Sequence, residues 1–132
     1  MIRVRRAAPA DAPALVALAE AVAREDGLVL GRLSLARDPH PASRHVADLG
    51  LMVAAGARRR GIGRMLLTEG MEWARTHGVR KLELHVFPWN EPALRLYESF
   101  GFEREGYRKR HYERDGEDVD AILMALAVEA EV

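Results

Sequence analysis

Leu49-Gly50-Leu51-Met52-Val53, then Arg58-Arg59-Arg60-Gly61-Ile62-Gly63, then Arg64-Met65-Leu66-Leu67 read in order as strand, turn and helix. Gly61 and Gly63 let the backbone approach a ligand closely, because no Cβ stands in the way. The first helical turn behind them offers unpaired N–H groups and the positive end of the dipole. With arginines alongside, this is a seat for a pyrophosphate. Two familiar phosphate motifs do not fit. A Walker-type loop needs Gly-Lys-Ser/Thr, and Gly63 is followed by Arg64-Met65. The dinucleotide fingerprint needs a third small residue, and Leu66 occupies that place. A helix entry with a solvated basic flank is the alternative this stretch alone leaves open.

A second stretch, Asn90-Glu91-Pro92-Ala93-Leu94-Arg95-Leu96-Tyr97-Glu98-Ser99-Phe100-Gly101-Phe102, carries its own local logic. Pro92 suits a first helical turn, where its missing N–H costs nothing. Ala93, Leu96, Tyr97 and Phe100 make one apolar face at helical spacing. Gly101 ends the helix in a conformation other residues resist. By itself Tyr97 reads as a core aromatic.

Together the two stretches resemble the signatures of the GNAT superfamily of N-acyltransferases. Arg58 to Gly63 is similar to its Arg/Gln-x-x-Gly-x-Gly/Ala acyl-CoA loop. Asn90 to Phe102 is similar to its Asn-x-x-Ala-x-x-x-Tyr-x-x-x-Gly-Phe segment. The likeness runs from His45 to the end and is nearest to small bacterial amino-acid or amine acetyltransferases. It includes His45-Val46-Ala47-Asp48-Leu49-Gly50 and the tail Glu105-Gly106-Tyr107-Arg108-Lys109-Arg110. The resemblance implies an α/β (α+β) fold: a mixed, mostly antiparallel central sheet with helices on both faces, in one domain over residues 1–132.

Composition narrows the function. Lysine plus arginine number 20 and aspartate plus glutamate 20, so the formal net charge is zero and nothing points to nucleic acid or an anionic membrane. There is no cysteine, which excludes disulfides, thiolate metal sites and an acyl-cysteine intermediate. No stretch reads as a membrane span or a signal peptide, so a soluble, cytoplasmic chain is expected.

Periodicity places the elements. Strands are expected at Ile2–Arg5, Leu28–Leu35, His45–Val53 and Lys81–Phe87. Helices are expected at Gly61–Thr76, burying Ile62, Leu66, Gly70, Trp73 and Ala74, and at Pro92–Phe100. Glu103–Arg114 and Glu117–Ala127 form a hairpin across Asp115-Gly116. Between the first two strands the family carries two helices and a strand, and only Asp11–Gly27 is available here. Asp11 as N-cap, the stripe Leu15, Leu18, Ala19, Val22 and Ala23, and the alanine content favour one helix. The alternative is a short helix followed by a strand Ala21–Glu25 turning at Asp26-Gly27.

The resemblance also assigns roles. Acetyl-CoA is the co-substrate and no metal is involved. The pantetheine lies in a gap where the strand ending at Val53 splays from Leu82–Phe87, bonded to main chain at Leu51, Met52 and Val53. Arg58, Arg59, Arg60, Gly61, Ile62, Gly63 and Arg64 hold the pyrophosphate. Asn90 fixes the CoA side of the second helix, or serves as its N-cap. Tyr97 protonates the departing thiolate. The base is His85, which shares a strand face with Glu83 and Phe87, or Asp48, or ordered water. Tyr107, His111 and Tyr112 line the acceptor site or stand as exposed strand residues. The implied reaction is acetyl transfer to a primary amine of a small molecule such as an amino acid. The alternatives are a protein N-terminal acetyltransferase and a non-catalytic acyl-CoA-binding domain. A homodimer stays open.

Overall fold

The computed structural model describes residues 1–6 and 19–129. The chain runs β1 (Arg3–Arg6), β2 (Ala19–Glu25), β3 (Leu28–Arg37), β4 (Val46–Val53), α1 (Ile62–Thr76), β5 (Lys81–Val86), α2 (Glu91–Ser99), β6 (Glu103–Arg114) and β7 (Glu117–Ala127). The strands form one sheet in the order β1-β2-β3-β4-β5-β7-β6. Every neighbouring pair is antiparallel except β4 and β5.

Strand register decides which residues make the core. Leu35 pairs with Leu49, Ala47 with Leu82 and Leu84 with Met124, so these side chains share one face. All six are buried, and each fully buried leucine contributes roughly 1.5–3 kcal/mol. α1 covers this face with the expected stripe of Ile62, Leu66, Gly70, Trp73 and Ala74, and also Leu67. α2 lies beside it, burying Leu94 and Tyr97. A Cβ on Gly63 would meet Leu96 Cδ2 at 2.9 Å, so the glycine also lets the two helices approach.

The expectation of one helix over Asp11–Gly27 fails where it can be seen. Ala19–Glu25 is strand β2, which turns at Asp26-Gly27 into β3, as the strand of the alternative reading does; the short helix of that reading lies outside the described residues. Asp26 (φ 51°) and Gly27 (φ 81°) both adopt positive φ, as a tight hairpin turn requires. Ala21, Val22 and Ala23 are buried between β1 and β3, and burial in the sheet outweighs alanine's helix propensity. Asp11, Leu15 and Leu18 lie outside the described residues.

Candidate active site

The β4–β5 boundary is where the sheet opens. β4 pairs with β3 from Ala47 to Val53 but with β5 only at Val46–Lys81, Ala47–Leu82 and Asp48–Glu83. Past Asp48, that edge of β4 has no strand partner among the described residues, which leaves a wedge of unpaired main chain. Alternation tells which groups face it. Ala54 N–H donates to the Leu30 carbonyl at 2.8 Å, on the β3 side. The main-chain groups of Leu51 and Val53 therefore turn the other way, into the wedge. Met52 turns its main chain toward β3, and its side chain is 73% exposed.

The Gly/Arg turn sits after this strand. Arg59 (φ 65°) and Gly61 (φ 75°) take left-handed conformations, and Gly61 is the N-cap of α1 with no side-chain cap. Such alternation turns successive N–H groups into a concavity that suits an anion. The first intrahelical bond is Met65 N–H to Gly61 O at 3.0 Å, so Ile62, Gly63 and Arg64 have no acceptor within the helix. The first turn holds no acidic residue. The arginines differ. Arg60 donates to both carboxylate oxygens of Glu25 at 2.8 Å, which holds that carboxyl below its usual range. Arg64 donates to Ser99 Oγ at 2.9 Å and lies 5.0 Å over the Phe100 ring. Arg58 and Arg59 are exposed, with no side-chain partner among the described residues.

Tyr97 is buried, its ring edge-on to Phe102 at 5.7 Å. Its hydroxyl has no hydrogen-bond partner among the described residues. No fully buried polar side-chain atom there lacks one, so this oxygen reaches accessible space. Burial pushes the phenol up to about 12, keeping it protonated at any working pH. Asn90 caps α2, accepting from Ala93 N–H at 3.3 Å.

On the opposite face of the sheet, His85 is half-buried and gathers neighbours from three strands. Its Nδ1 shares a 2.7 Å hydrogen bond with the Tyr112 hydroxyl. The rings of His111 and Tyr112 stand edge-on to it at 5.1 and 5.8 Å. Asp48 shares this face through the Asp48–Glu83 pairing. Partial burial lowers the His85 imidazole below its ordinary value, opposed by the Asp48 charge. Burial also raises the Asp48 carboxyl, opposed by His85. Tyr107 does not join the group; its hydroxyl donates to Asp120 Oδ2 at 2.6 Å. Composition and spacing did not mark Trp89, which stacks on Phe87 at 4.9 Å, or Arg114, 5.9 Å over the same ring. Phe87 also meets Tyr112 at 5.7 Å. The Glu25–Arg60 pair had no sequence signal either, because it depends on the β2–β3 hairpin. Among the described residues no acidic or histidine cluster is arranged to hold a metal. No helix there is long and apolar enough to cross a membrane.

Residues 5–102 match the acetyltransferase (GNAT) family. The chain is 40% identical over 120 residues to an L-amino acid N-acetyltransferase of Escherichia coli, spanning 88% of this chain and 70% of that protein. A ribosomal protein bS18-alanine N-acetyltransferase of Salmonella typhimurium is 42% identical over 71 residues, 54% of this chain and 48% of its own length. The chain thus spans about half of that second relative. The crystal structure of a ribosomal-protein-alanine N-acetyltransferase from Brucella melitensis superposes with a TM-score of 0.78 at 33% identity, covering 83% of this chain and 68% of that one. The chain belongs to the GNAT family, whose members are acyl-CoA-dependent N-acyltransferases.

Proposed function

We propose that this family member transfers acetyl from acetyl-CoA to the primary amine of a small molecule, an amino acid being the favoured class. The observation that carries this is the wedge between β4 and β5, with an uncapped Gly/Arg helix entry following the strand that borders it. An extended pantetheine fits there as a strand would, bonded to the main chain of Leu51 and Val53. The N–H groups of Ile62, Gly63 and Arg64 face the pyrophosphate, and Arg58 and Arg59 add charge. Arg60 contributes mainly by tying the turn to Glu25.

Acetyl-CoA supplies the activated thioester, and the chain supplies position and protons. The Val53 N–H is the donor for the thioester oxygen. The attacking amine must first lose a proton, because an alkyl ammonium titrates near about 10. His85 accepts it, directly or through water. For direct acceptance its Nδ1–H donates to Tyr112, which leaves Nε2 with the free lone pair. Asp48 holds the imidazolium that forms. The C–S bond breaks as the C–N bond forms, and the Tyr97 hydroxyl gives its proton to the departing sulfur.

The E. coli amino-acid acetyltransferase is the relative that supports the amino-acid reading. The ribosomal-protein-alanine enzymes support a protein N-terminus as the second reading. One assay separates them: thiol release from acetyl-CoA with L-amino acids against a peptide starting with alanine. The chain's lack of cysteine leaves CoA as the only thiol. Faster turnover of free amino acids is expected. A preference for the peptide overturns the small-molecule reading, and no amine-dependent release overturns both.

A further inference from the structure

His111 and Tyr112 are consecutive, yet both rings lie against His85 and 4.9 Å from each other. In a regular strand successive side chains point to opposite faces. The alternation breaks because β6 bulges here. Arg108 pairs with Ala121, and the next pair is Tyr112 with Val119, so four steps of β6 span two of β7. A bulge of this kind re-aims a side chain. In an unbroken ladder running from the Asp115-Gly116 turn, Arg108 would stand opposite Leu123, the partner of His85. The bulge sets Arg108 opposite Ala121 instead and brings His111 over His85.

Something must hold two extra residues in place, with Arg110 at φ 53°. Asp120 lies opposite the bulge on β7. Its Oδ1 accepts from the Arg110 backbone N–H at 2.8 Å, and its Oδ2 accepts from the Tyr107 hydroxyl at 2.6 Å. Asp118 adds a grip on the Arg110 guanidinium at 2.7 and 2.6 Å. We propose that Asp120 is a positioning residue: through the β6 bulge it sets His111 and Tyr112 against His85. Its consequence for turnover rests on the reading of His85 as the base, but the positioning itself does not.

The groups facing His85 are Asp48 and Glu83 from β4 and β5, and Arg108, His111 and Tyr112 from β6. Burial by these neighbours and the charges of His111 and Arg108 all act to lower the His85 imidazole. NMR titration of the histidines therefore reads the device without any turnover. In His111→Ala and in Asp120→Ala the His85 midpoint should rise toward about 6.5. Asp120→Asn, which keeps an acceptor for the Arg110 N–H, should stay near wild type. Asp120→Ala should also lower kcat/KM for the amine about tenfold, through misplacement, with CoA affinity unchanged. A His85 midpoint that stays put in Asp120→Ala while His111→Ala moves it overturns the proposal. If Asp120→Ala does not fold, amide exchange of Arg110 in the wild-type chain decides. Slowed exchange upholds the grip, and exchange at the rate of an open loop overturns it. A titration that moves while the rate keeps its acid limb upholds the positioning and removes His85 as the base.

Discussion

Tyr97 and His85 stand on opposite sides of the proton ledger, and their surroundings push them in useful directions. The phenol at about 12 never ionises under working conditions, so it can only donate. Tyr97→Phe keeps the ring packing against Phe102 and removes that proton. It should lower kcat on the order of 10²-fold while CoA binding, read by calorimetry, is nearly intact. Wild-type turnover would return Tyr97 to a purely structural role. His85 is lowered from its ordinary value by burial, so its neutral, proton-accepting form persists below about 6.5. Activity should therefore rise with pH through a midpoint below that value. His85→Gln should lose both rate and that limb. If it keeps both, Asp48→Asn is the next candidate, and silence in both variants leaves ordered water.

Among the elements, the turn before α1 carries the clearest prediction. Gly61 has no neighbour within 4 Å of a would-be Cβ among the described residues, but its φ is 75°. Gly61→Val therefore strains the backbone by roughly 1–3 kcal/mol without a packing clash. It should weaken CoA binding at least tenfold in calorimetry, while Gly61→Asn, which tolerates this conformation, loses less. Equal affinity in a folded Gly61→Val chain would contradict the anion seat. Gly63 is a poorer probe, since a side chain there also strikes Leu96. The helices α1 and α2 and the β6–β7 hairpin were legible because periodicity, caps and a turn dipeptide agreed. The same Asp-Gly signal occurs at Asp26-Gly27 and Asp115-Gly116, but only the second is preceded by residues that favour a strand over a helix. At the first, Ala21 and Ala23 read as helix formers. They are small because they lie buried in the sheet under α1, a tertiary fact that periodicity does not carry.

For the molecule as a whole, the candidate site divides along the same line. The turn and Tyr97 were visible in local sequence. The His85 cluster was only partly visible, because strand alternation hides His111 until the bulge is known. The orientation of Leu51 and Val53 against Met52 depends on one hydrogen bond from Ala54 to Leu30 and could not be read from residue types. It yields the most direct test of the central claim, that acetyl-CoA completes the sheet in the wedge. Residue-resolved amide exchange would be measured with and without saturating acetyl-CoA. The expected result is strong slowing at Leu51 and Val53 with little change at Met52, whose N–H is already turned to β3. Unchanged exchange at Leu51 and Val53 while acetyl-CoA is demonstrably bound would contradict it.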